Sequence, residues 1–130
     1  MHAFHRSDPL VDDASTRQLL EAIATGIRFR RVRDSYPLVK KLTKYVILNP
    51  LLTYRVMRRI VDGYMELRQS GAQFHVGHFD DDLVNIVLTL HRQNDLGLRS
   101  DSLTLFEDLM DLEVGGAFEK LRELDLRPKR

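Results

Sequence analysis

The sequence predicts a mostly helical α+β domain of about five to six helices, with two short strands that pair antiparallel; the alternative is an all-α bundle. Apolar residues recur at three- and four-residue spacing along most of the chain, the mark of helices with one buried face. Asn, Ser or Asp beside proline, and glycine pairs, punctuate those stretches. Two short segments, near residues 27–33 and 73–79, alternate apolar and polar residues instead, which suits strands.

The elements follow in order. Ser7, Asp8 and Pro9 read as a helix start, and Leu19, Leu20, Ala22, Ile23 and Ile27 form its apolar stripe up to a stop at Gly26. Ile27, Arg28, Phe29 and Arg30 then alternate, and Val32 and Arg33 resume the alternation out of phase, so a bulge is expected at Arg30 and Arg31. Ser35, Tyr36 and Pro37 open a helix to about Leu48, with Leu38, Leu42, Tyr45 and Val46 buried and Lys40, Lys41 and Lys44 together on the other side. Asn49 and Pro50 are the clearest boundary. The helix they open runs to about Gln69 with Leu52, Val56, Ile60, Gly63, Tyr64 and Leu67 on one face. Met57, Val61 and Met65 widen that face, so this helix is expected to be central.

After a stop at Ser70 and Gly71 comes the second expected strand, 73–79. Asp80, Asp81 and Asp82 then cap a helix from about Leu83 to Gln93. Ser100, Asp101 and Ser102 cap another, carrying Leu103, Phe106, Leu109 and Met110. Gly115 and Gly116 break the chain before a last helix from Ala117 to about Leu124.

A chain of 130 residues reads as one domain, 1–130, with a short basic tail from about 127. Hydrophobic residues at 43% and charged residues at 30% suit a folded protein. Cysteine is absent, which excludes disulfides, thiolate zinc sites and cysteine nucleophiles. No stretch reaches the roughly 18–20 apolar residues of a spanning helix, and the N-terminal residues lack the apolar core of a secretory leader. A cytoplasmic protein, or one inside a virion core, is expected, with no membrane partner.

The net charge of +1 hides a strong asymmetry. Residues 28–59 hold ten bases and one acid, Asp34, whereas residues 60–130 hold eight bases and fourteen acids. Such a segment either meets an anionic partner or is neutralised by the acidic half on folding. Arg28, Arg30, Arg31, Arg33, Lys40, Lys41 and Lys44 are the candidate nucleic-acid-binding residues, because arginine forks and lysine ammoniums match phosphate, and Phe29 and Tyr36 could stack on bases. Arg55, Arg58 and Arg59 are set apart, since Asp62 lies a turn from the last two.

Other constellations are weaker. His75 and His78 precede Asp80, but on a strand the two histidines point to opposite faces, which suits zinc poorly. His91 is remote in sequence. The helix pair around Gly115 has the outline of a helix-turn-helix, yet its second helix presents Glu119, Lys120, Arg122, Glu123 and Asp125, and acids there repel phosphate. Nucleophile elbows, phosphate loops and dinucleotide fingerprints are missing from the sequence.

The leading expectation is a non-enzymatic assembly protein that binds nucleic acid, RNA in preference to DNA, within a viral or phage core or another nucleoprotein assembly. Catalytic residues, metal and cofactor are expected to be none. The alternative is a protein–protein adaptor or self-associating subunit, such as a homodimer, with complementary basic and acidic faces. The remote alternative is a small metal-dependent hydrolase using His75, His78 and Asp80.

Overall fold

Asp13 starts the first helix: its carboxylate accepts a hydrogen bond from the Thr16 amide at 2.8 Å, pairing one of the donors that every helix start leaves open. That bond holds the Asp13 carboxyl below the usual carboxylate range. Helix α1 (Ala14–Gly26) then buries Leu20 and Ile23. The computed structural model describes residues 11–26, 32–71 and 80–126, with the backbone alone at 32, 33, 118, 121 and 124–126. The helix start expected at Ser7, Asp8 and Pro9 is corrected: residues 7–9 lie outside the description, but residues 11–13, which that helix would include, are not helical, and Asp13 supplies the cap instead.

The strand expected at 27–33 is overturned where it is described, because Val32–Ser35 is a 3-10 turn leading into the next helix. Ser35 gives the physical reason. Its hydroxyl is fully buried and lies 2.5 Å from the Tyr64 hydroxyl, and tight coiling brings it there in a way extension would not. Residues 27–31 and the second expected strand, 73–79, fall outside the description. Among the described residues there is no strand, and the all-α alternative is the one that fits.

Helix α2 (Tyr36–Leu48) and helix α3 (Pro50–Gln69) meet at Asn49. The Asn49 amide closes α2 by donating to the Tyr45 carbonyl at 3.0 Å. Its side chain opens α3 by accepting from the Leu52 amide at 3.2 Å. Pro50 takes the first position of α3, where the N–H it lacks would have no partner. Leu38, Leu42, Tyr45 and Val46 are buried as the spacing requires, and so are Leu52, Val56, Met57, Ile60, Val61, Gly63 and Tyr64. Helix α3 packs against α1 and α2 and against two later helices, which makes it the central element.

Those later helices are α4 (Asp80–His91) and α5 (Leu96–Asp111). Helix α4 starts three residues earlier than expected, so the aspartates form its first turn, where the dipole favours negative charge. Helix α5 is also longer than expected. Its cap is Asp95, which accepts from the Leu98 amide at 3.0 Å. Ser100, Asp101 and Ser102 lie inside the helix because burying Leu98 together with Leu105, Phe106 and Leu109 extends it back by between one and two turns. Ser102 is buried, and its hydroxyl donates to the Arg99 carbonyl and lies 3.2 Å from His91 Nδ1, joining α5 to α4.

Helix α6 (Ala117–Leu126) packs on α5 and α4. Each glycine before it has its own task. Gly116 takes a positive φ of 87°. At Gly115 the constraint is space: its amide donates to Asp80 Oδ2 at 2.9 Å, and a Cβ there would sit 2.6 Å from that oxygen. The start of α4 is thereby tied to the turn between α5 and α6. The end of α5 is a Schellman motif: the Val114 amide bonds to the Leu109 carbonyl and the Glu113 amide to the Met110 carbonyl, each at 2.9 Å. Glu113 holds the left-handed position of that motif, at φ 60°, where glycine is the usual residue.

Two substitutions test this turn. Glu113→Gly is expected to raise stability by about 0.5–1 kcal/mol, because it relieves the Cβ crowding of left-handed backbone. Gly115→Ala is expected to lower it by roughly 1–3 kcal/mol through overpacking against Asp80. Urea midpoints at constant slope provide the measurement.

Candidate functional site

Helix α2 separates its three lysines. Leu38, Lys41, Leu42 and Tyr45 stand at the i, i+3, i+4, i+7 spacing of a buried stripe. Lys41 belongs to that stripe and is only 8% exposed, so the single lysine face expected from the sequence is corrected. A lysine stem can lie along apolar surface with its charge at the edge, which allows such a placement. Lys40 and Lys44, one turn apart, do share an exposed face. Lys40 faces Asp82 of α4 at 3.8 Å. Lys44 makes no ion pair among the described residues. Arg28, Arg30, Arg31 and the Arg33 side chain lie outside the description.

Folding turns the arginines of α3 inward on the protein's own acids. Arg55 pairs with Glu21 of α1. Arg58 reaches Asp62 on its own helix at 2.8 Å and Asp108 of α5 at 2.5 Å. Arg59 pairs with Glu66 at 3.3 Å, and Arg68 donates to the Asp111 carbonyl. Burial works against the charge of Arg58, but the bond to Asp108 and the charge of Asp62 outweigh it and raise its pKa. Partly exposed pairs like these contribute at most about 1 kcal/mol each. Their larger effect is on the surface, since three of the ten bases in residues 28–59 (Arg55, Arg58 and Arg59) are matched by the protein's own acids.

The metal reading receives no geometric support. His75 and His78 are outside the description, Asp80 Oδ2 is engaged with the Gly115 amide, and Asp80 Oδ1 is buried without a hydrogen-bond partner. Among the described residues no group of three or more metal-ligating side chains forms. His91 is engaged with Ser102 and with the Arg99 carbonyl. In α6, Lys120 pairs with Glu123 of the same helix at 3.4 Å, and Glu119, Arg122 and Glu123 are exposed.

The feature that sequence reasoning missed is the corner between α2 and α3. Ile47 is 75% exposed, Leu48 51% and Leu51 59%. Among the described residues these are three of the five large exposed hydrophobic residues, and they fall within five positions of the chain. A fourth, Val11, adjoins Asp12, which binds the same corner. A partial signal was present: the assigned buried faces of the two helices leave over Ile47, Leu48 and Leu51, but also Val39, which is buried, and Tyr54, which is half-buried.

The corner is held rigid by a polar network. Asp12 Oδ1 accepts from the Tyr45 hydroxyl at 2.7 Å and from Asn49 Nδ2 at 3.4 Å. Arg17 lies 3.2 Å from the same oxygen. The start of α1 is thus bound to the residue that ends α2 and caps α3. Burial, and then the Asp12 carboxylate that accepts its proton, push the Tyr45 phenol up to about 12.

No protein-family model matches the chain, and neither a curated protein nor a solved structure matches it.

The network has a pH signature. An unperturbed tyrosine ionises at 10.0 and folded Tyr45 at about 12, so the unfolded chain loses its proton first. Stability present below pH 10 is therefore expected to fall as pH rises toward 12. Tyr45→Phe is expected to cost about 1 kcal/mol at neutral pH, from one lost hydrogen bond, and to make the alkaline loss shallower. Chemical denaturation across an alkaline pH series checks both; an unchanged alkaline slope in Tyr45→Phe counts against the assignment.

Proposed function

We propose that this protein is a non-enzymatic adaptor or structural subunit that docks on another protein through the corner between α2 and α3. One observation carries the reading: Ile47, Leu48 and Leu51 stand together in solvent on a corner fixed by Asp12, Tyr45 and Asn49. Single exposed apolar residues are ordinary, but a cluster on a rigid support marks a contact surface. The internal pairing of Arg55, Arg58 and Arg59 supports the same reading, because it removes positive charge from a phosphate-binding role.

A second reading, binding of nucleic acid with RNA preferred to DNA, is favoured by the shared exposed face of Lys40 and Lys44 and by the arginines that precede it in the chain. It predicts weak sequence preference and steep salt dependence.

A photo-crosslinking residue at Leu51 separates the two. In cells that naturally make the protein it is expected to give a discrete protein adduct, absent when the probe stands at exposed Glu107 on α5. The adaptor reading fails if Leu51 yields no protein adduct while RNA or DNA is retarded at about 50 mM salt and released by Lys40→Glu with Lys44→Glu, since charge-driven binding is strongest at low salt.

A further inference from the structure

Resting on the adaptor reading, we propose that the partner presents an amphipathic helix, apolar where it meets Ile47, Leu48 and Leu51 and acidic at the end that meets Lys44 and Lys40. The pattern is written along one ridge. Lys40, Lys44 and Leu48 stand four residues apart on α2, and Ile47 lies three residues beyond Lys44, so all four share a face. All four are exposed. At 1.5 Å per residue the ridge from Lys40 to Leu48 runs about 12 Å, a length that a partner helix of about three turns covers. Leu51 adds an apolar contact beyond the corner.

The form of the partner follows from what this surface lacks as well. Adding a strand needs an open sheet edge, and among the described residues there is no strand. A helix face that is basic at one end and apolar at the other suits a helix laid alongside it.

The charge of the partner follows from Lys44, exposed and without an ion pair among the described residues, and from Lys40, whose side chain is 61% exposed and lies a full 3.8 Å from Asp82. A second copy placed corner to corner is the poorer match, because the described carboxylates of α1 and its cap are already engaged within the chain. Asp12 is bonded to Tyr45 and Asn49, Asp13 to the Thr16 amide, and Glu21 to Arg55. An anionic membrane is a poorer match, because membrane-surface helices carry their apolar residues along the whole of one face. Here the apolar residues occupy one end.

The test uses the whole protein and two labelled synthetic helices that share one leucine stripe, one flanked by glutamates and the other by lysines. Fluorescence anisotropy at about 50 mM salt is expected to favour the glutamate peptide by about tenfold or more, with the preference shrinking as salt rises. Lys44→Glu should reverse the preference, and Ile47→Ser with Leu51→Ser should abolish binding of both peptides. Equal affinity for the two peptides, or a preference that Lys44→Glu leaves unchanged, overturns the acidic partner but keeps the corner as an interface if the double serine variant still loses binding. Light scattering that shows a dimer dissolved by the double serine variant, or tighter binding to anionic vesicles than to either peptide, overturns it in favour of a second copy or a lipid surface. If the serine variant changes none of these readouts, the adaptor reading falls as well. Circular dichroism melts confirm that each variant folds, as expected for substitutions at exposed positions.

Discussion

Helix α3 buries eight of its twenty residues and touches α1, α2, α4 and α5. Once so much of a helix surface is committed to the core, its charged residues can stand only along the narrow borders where neighbouring helices meet it. That constraint places Arg55 against α1, Arg58 against α5 and Arg59 along its own helix toward Glu66, two turns on. The long guanidinium stems close the borders, and the acids they meet come from the segments that balance the charge of the chain. The electrostatic surface is therefore a consequence of packing. The arginines of α3, part of a segment that looks intensely basic in one dimension, are paired with the protein's own acids in three.

Among the described residues, the same packing leaves apolar residues exposed at the corner of α2 and α3. On both sides of Asn49 the apolar residues divide between core and solvent: Tyr45 and Val46 go inward from the last turn of α2. Leu52 goes inward at 5% exposure, while Leu51 and Leu48 stay outside. The Asp12 network then fixes this corner to the start of α1. A contact surface on such a support loses little conformational entropy when a partner arrives, which is the physical advantage of rigid apolar anchors.

Much of the helical frame was legible in the residues. The Asn49–Pro50 boundary, the limits of α2 and α3 and most of their buried faces follow from spacing and capping chemistry, because those signals act within one or two turns. Competing local signals were not resolvable. Asp95 and Ser100 are both good caps, and only the burial of Leu98 selects the first. Alternation over a few residues, as at 27–33, resembles a strand and also fits a tight turn, and the buried contact between Ser35 and Tyr64 decides it at the described end. Lys41 shows the limit from the other side: its position in the stripe of Leu38 and Tyr45 was visible, but its charge argued for the surface.

By itself, then, the sequence determined a helical chain with a central third helix, a corner at Asn49, and a charge asymmetry between its halves. These are properties of neighbours in the chain. Only the tertiary structure decided which charges cancel and which apolar residues stay wet, because both depend on groups far apart in sequence. Arg58 and Asp108 are separated by fifty residues, and Tyr45 and Asp12 by thirty-three. Ile47, Leu48 and Leu51, close neighbours in the chain, stay exposed where two helices turn, and among the described residues no third helix covers them.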